Sequence, residues 1–125
     1  MSAKDWAVAG KFNDIAAVVA TGDFVAARSW YCEVMGRGPD LEPIEGVAEW
    51  QITATAWLQL MEDHARAGRS AVRIGVDDLD AQTAELAKLG VETGEVVVIA
   101  DLVKVLDVAD PDGNEVSFVQ DLGAY

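Results

Sequence analysis

The chain is short of the residues that most often announce chemistry: among 125 residues there is one cysteine, Cys32, one histidine, His64, and three prolines. A single cysteine closes no internal disulfide and builds no thiolate metal site, and Cys32, inside a predicted helix, reads as a small core or boundary residue rather than a nucleophile. His64 stands alone in a charged stretch, which is the setting of solvated surface rather than of a catalyst. Basic residues are also scarce, 9 against 22 acidic ones, giving a net charge of −13 with no Lys/Arg cluster to offset it. Such a field repels phosphate backbones and anionic membranes, which argues against nucleic-acid or membrane-surface binding. It attracts small cations, and it also serves simply to keep a protein soluble. No apolar run reaches the roughly 18 residues that span a bilayer, and no basic region followed by a hydrophobic one opens the chain, so a cytoplasmic protein is expected.

What is present is enough for a core. With 51% hydrophobic residues, a chain of this length can offset its ordering entropy as one domain. Residues 1–11 carry no period and read as a loose arm in which Trp6 docks on the body or on a neighbour. Residues 14–20 are Val- and Ala-rich, a buried strand ended by Thr21-Gly22. Asp23 then reads as a helix N-cap; Phe24, Ala27, Tyr31 and Val34 form one helical stripe, and Gly36 is placed as its stop. Three short strands are expected at 41–44, 48–53 and 57–62, then a polar linker over 63–70.

The pattern then repeats. Residues 71–76 read as a strand, Asp78 as an N-cap, Leu79, Leu86 and Leu89 as a helix face ended by Gly90, and 95–99 as a strand. The last two strands, within 102–120, flank Asp110-Pro111-Asp112-Gly113-Asn114. There Pro111 presets φ, Asp112 caps locally through its carboxylate, and Gly113 supplies a positive φ. Superposing Asp78 on Asp23, an offset of 55 residues, pairs Leu79 with Phe24, Leu86 with Tyr31 and Leu89 with Val34. Two βαβββ units result, each with an apolar sheet face that must be covered.

Val19-Ala20-Thr21-Gly22-Asp23 with Ala27-Arg28-Ser29-Trp30-Tyr31 and Val34-Met35-Gly36 resembles the first strand and helix of the vicinal oxygen chelate superfamily. That group includes glyoxalase I, extradiol dioxygenases and the bleomycin- and fosfomycin-resistance proteins. Val76-Asp77-Asp78-Leu79-Asp80-Ala81 with Leu89-Gly90-Val91 resembles its second-module helix, and Asp110-Pro111-Asp112-Gly113-Asn114 its closing hairpin. The resemblance covers about residues 13–122. It implies an α+β fold of two βαβββ modules, about 13–62 and 71–122 on either side of the linker, forming a cupped, incomplete barrel.

Enzymes of that superfamily hold a divalent metal with one ligand from the first and last strand of each module. Carried onto this sequence by spacing, those positions are Ala16, Gln59, Ala71 and Ser117, of which only Gln59 suits coordination. A transition-metal site needs about three N, O or S donors, so no metal and no cofactor are expected. A shift of two residues brings in Arg73, a cation that opposes a metal. If Gln59 faces inward, strand alternation turns Trp57 and Met61 inward with it. Trp57, Gln59, Met61, Arg73 and Ser117, with Trp50 joining if its register allows, then line an apolar cup for an aromatic or cationic compound. The two tryptophans could equally fill the core or a dimer interface, and Trp30 reads as core.

Three functions stay open. One is a metal-free binding protein of the bleomycin-resistance type, which sequesters a compound without turnover. Another is a lyase or isomerase working by metal-independent acid–base catalysis, with Glu49, Glu62, Asp107 or Glu115 as base. The third is a module of a larger assembly. Surplus apolar side chains, Trp6, Phe12 and Trp30, point to a homodimer.

Overall fold

A computed structural model describes residues 12–123; the arm and the expected docking of Trp6 lie outside the described residues. The order is β1 (Ile15–Thr21), α1 (Phe24–Met35), β2 (Val47–Thr53), β3 (Ala56–Glu62), β4 (Ala71–Gly75), α2 (Leu79–Lys88), β5 (Val97–Ile99), β6 (Val103–Ala109) and β7 (Glu115–Asp121). The strands form two sheets, β1-β3-β2 and β4-β7-β6-β5. In each, the first strand runs parallel to the last, and the remaining pairings are antiparallel. This is the cupped, incomplete α+β barrel, with no closure between its outer strands.

The two helices begin in the same way. Asp23 and Asp78 are extended, with φ of −140° in both cases, and their carboxylates accept hydrogen bonds from Ala26 N at 3.2 Å and Ala81 N at 3.1 Å. Each bond satisfies one of the amides that a helix start leaves without a partner. Helix α1 stops at Gly36, whose φ of 75° is the left-handed cap that only glycine adopts without strain. Of the expected stripe in α2, Leu79 and Leu86 are buried, whereas Leu89 lies at the helix end, partly exposed.

The strand expected at 41–44 reduces to one bridge, between Leu41 and Glu49. Pro43 has no amide to donate, so a ladder cannot continue past it.

One core runs through both modules. Tyr31 and Val34 of α1 pack on Trp50, Leu58 and Leu60, and Leu79 and Leu86 of α2 on Leu106, Val116 and Phe118. The two sheets meet where β1 and β4 touch without sharing a ladder. The join is polar and buried. Asn114 donates from Nδ2 to Ala20 O at 2.8 Å and to Asp110 Oδ2 at 2.9 Å, while its Oδ1 accepts from Ser70 N at 2.9 Å. Asp110 Oδ2 also accepts from the Tyr31 hydroxyl at 2.7 Å, and its Oδ1 from Asp112 N and Asn114 N, both at 2.9 Å. The expectation that Asp112 caps its own turn is corrected. Its Oδ1 accepts instead from Gly22 N, 90 residues away, at 2.9 Å, because Asp110 already holds the amides of the turn.

Residues 63–70 pass close beneath this turn. A side chain at Gly68 would bring its Cβ within 2.7 Å of Asp112 O, at a φ of +81°.

Burial, and after it the nearby Asp110 carboxylate, pushes the Tyr31 phenol far above its ordinary value. The folded state therefore holds this proton more tightly than the unfolded chain, whose tyrosine titrates near pH 10. Stability from this group is complete below about pH 10 and is lost above it, by up to about 1.4 kcal/mol per pH unit. Urea denaturation at pH 7 should show Tyr31→Phe costing about 1–2 kcal/mol and Asp110→Ala about 3 kcal/mol or more, since the latter strands several buried donors. Repeated between pH 10 and 11, the same measurement should show a steeper loss in the wild type than in Tyr31→Phe.

Candidate functional site

Alternation along each strand divides its side chains between the helices and the cup. In β3, Leu58 and Leu60 are buried against α1, while Trp57, Gln59 and Met61 lie between them, half-buried, on the opposite face. In β2, Glu49 stands beside Gln59 and Gln51 beside Trp57. In β7, Val116 and Phe118 are core, so Ser117 points into the cup, and on β6 Asp107 stands beside it. On β4, Val72 is buried, and Arg73 is level with Ser117. Arg73, Ser117, Trp57, Gln59 and Met61 therefore share the cup face.

Trp50 does not join them. It is 0% exposed, packs beside Tyr31 with ring centroids 6.0 Å apart, and donates from Nε1 to Arg37 O at 3.0 Å. It pairs with Leu58, so both side chains lie on the helix side, and Trp50 is a core residue. Trp30 packs edge to face on Tyr31 at 4.8 Å.

Two polar pairs face the cup, one on each sheet. Gln59 Nε2 donates to Glu49 Oε1 at 2.9 Å, and Ser117 Oγ donates to Asp107 Oδ1 at 2.6 Å. The pairs are equivalent by position: both members are shifted by 58 residues between modules. Sequence reasoning raised the carboxylates only as candidate bases and missed this pairing. Cross-strand register was the missing information. Glu115 is exposed on β7, and Glu62 is exposed at the end of β3. His64 is exposed in the connecting segment.

Register also revises the positions inferred by spacing for a metal. Level with Gln59 on β1 is Val18 rather than Ala16, and level with Ser117 on β4 is Arg73 rather than Ala71. The resulting set, Val18, Gln59, Arg73 and Ser117, contains an alkyl group and a cation, with the Gln59 amide and the Ser117 hydroxyl already bonded to carboxylates. That donor chemistry does not fit a divalent metal. Among the described residues there is no group of three or more His, Cys, Asp or Glu side chains that could hold one.

Between β1 and β4 a cavity of about 270 Å³ opens at the edge of the cup. Ile15, Ala16, Ile52, Leu58 and Ile74 line it, with Trp57 and Arg73.

A cup of two such modules, βαββ and βαβββ among the described residues, with this strand order defines a class of proteins. No protein-family model matches the chain, and no curated protein does. Among solved structures, a glyoxalase/bleomycin resistance protein from Catenulispora acidiphila is 34% identical, with a TM-score of 0.79 over 86% of this chain and 96% of that one. The chain belongs to the glyoxalase/bleomycin resistance protein family. It is also similar to TnmS3, an antibiotic binding protein from a Streptomyces species, with a TM-score of 0.78 and 21% identity over 92% of this chain and 99% of that one. A bleomycin resistance determinant encoded on the transposon Tn5 has a TM-score of 0.71 and 16% identity, over 86% and 97% of the two chains. At those identities the last two show the fold alone.

From the donor set at the cup face, the purified protein should keep no stoichiometric transition metal through dialysis, as read by elemental analysis, and added Ni²⁺ or Zn²⁺ should confer no glyoxalase activity. One retained equivalent with Gln59 among its ligands would overturn this expectation.

Proposed function

We propose that the protein binds a small aromatic or cationic compound in its cup, without turnover and without a metal, as an antibiotic-sequestering protein does. The observation that carries this reading is what occupies the cup face: a half-buried tryptophan, Trp57, on the same face as two hydrogen-bonded carboxylate pairs, where a metal-dependent enzyme needs free N and O donors. An indole edge beside an apolar cavity suits a flat ring, and Glu49 and Asp107 suit a cationic substituent. The names of the similar structures, an antibiotic binding protein and a bleomycin resistance determinant, agree with it.

A second reading is a lyase or isomerase using metal-independent acid–base chemistry. The feature that favours it is the fixed orientation of Glu49 and Asp107, each held by one neighbouring donor while its other oxygen has no bond among the described residues. Incubation with a panel of candidate compounds, followed by chromatography, separates the two readings: recovery of unchanged compound supports binding, and conversion abolished by Glu49→Gln or Asp107→Asn supports catalysis.

We also propose a cytoplasmic homodimer. Edge strand β5 presents Val97, Val98 and Ile99 about half exposed, and Phe12 is 91% exposed. An apolar edge of this kind invites a second copy, and two-fold pairing is the commonest closed solution. Doubling a charge of −13 opposes pairing, but charges on far surfaces are screened beyond about 8 Å at physiological salt.

Trp57→Ala should weaken binding of an aromatic ligand by about 1–3 kcal/mol in calorimetric titration, with little change in melting temperature. Sedimentation at micromolar protein in about 0.15 M salt should report twice the 13.3 kDa chain mass, and a strictly monomeric species would count against pairing.

A further inference from the structure

We propose that Arg73 selects ligands that carry a carboxylate on a flat aromatic body, the rings entering the cavity between β1 and β4 and the carboxylate pairing with the guanidinium. This rests on the binding reading above and narrows it to aromatic compounds that present a carboxylate to Arg73, which stands one strand beyond Ser117 and its partner Asp107.

Arg73 is the one charged residue lining the cavity among the described residues, and every other lining group is apolar or tryptophan. In a chain this acidic, a cation without a carboxylate is unusual. Five of the seven described basic side chains sit in ion pairs: Arg28 with Glu42, Arg37 with Asp40, Arg66 with Asp63, Lys88 with Glu85 and Lys104 with Asp80. Arg69 and Arg73 do not, and Arg69 is an exposed residue of the segment before β4.

Asp77 and Asp121 border one neighbouring depression with Arg73, and Glu115 borders another. None of the three forms an ion pair with it within 4.0 Å, and none lines the cavity itself. The planar donor fork of Arg73 is thus left for an acceptor at the cavity rim, and a carboxylate matches that fork in a bidentate way. At about 270 Å³, the cavity is at the small end of the range for ligand sites, which favours a body of one or two rings.

The test uses three probes of one shape in calorimetric titration: 2-naphthoate, 2-naphthamide and 2-naphthylmethylammonium. The naphthoate should bind at least about tenfold more tightly than either other probe, the order expected of a charge-assisted bidentate contact. Arg73→Gln should abolish that preference, with a cooperative thermal melting transition like that of the wild type showing that the variant is folded. Equal binding of the three probes, or a naphthoate preference that survives Arg73→Gln, overturns the role of Arg73 and leaves the binding reading standing. If none of the probes binds the wild type, both fail.

Discussion

The architecture depends on one buried polar knot at the join between the modules. Four donors converge on Asp110, and Asn114 bridges β1, the connecting segment and Asp110. Each sheet by itself has open edge strands and an apolar face that must be covered. Apolar packing beneath the sheets supplies most of the driving force, but it is non-directional and tolerates small slips. Hydrogen bonds with fixed geometry do not tolerate them, and leaving any one of these buried donors unmade carries the full desolvation cost. The knot therefore sets how β1 sits against β4, and with it the dimensions of the cup.

The same join explains where the cavity lies. At one end of β1, Ala20 is held to Ser70 and Asn114. At the other end no ladder connects the strands, and Ile15 and Ala16 border the cavity with Arg73 and Ile74. A seam that is bonded at one end and open at the other yields a cleft lined by strand side chains. Each wall is an edge strand anchored on one side only, β1 by its ladder to β3 and β4 by its ladder to β7. Arg73 and Trp57 reach this cleft from different modules, so their separation is governed by the knot rather than by either sheet alone.

The repeat of the module leaves a trace in the cup chemistry. Gln59 with Glu49 and Ser117 with Asp107 occupy equivalent places, and each binds a carboxylate to a neutral donor on the adjacent strand. Level with them on the first strand of each module stand Val18 and Arg73. The symmetry of the backbone is thus broken at the first-strand positions, which gives the cup one end with a carboxylate alone, Glu49, and one in which the cation Arg73 accompanies the carboxylate Asp107. The family's structural frame is retained, while the donor set does not suit a metal.

Much of this fold was legible in the chain itself, because its signals are local. Asp23 and Asp78 start helices through bonds to amides three residues on, Gly36 ends one through its own φ, and period-two alternation places Trp57, Gln59 and Met61 on one face whatever the partner strand does. Other features depended on contacts between residues far apart. Trp50 needed the β2–β3 register, in which it pairs with Leu58, before its face was defined. Asp112 finds the amides of its turn already held by Asp110, and its carboxylate is engaged only by the approach of Gly22 from the other module. The carboxylate pairs of the cup, and the lack of an ion pair for Arg73 among the described residues, are likewise properties of neighbours, not of spacing. Backbone conformation and side-chain alternation are decided within a few residues, so the sequence alone determined the modules and their faces. Register and the meeting of the two edges are decided by packing over as many as 94 residues, so only the tertiary structure decided what the cup contains.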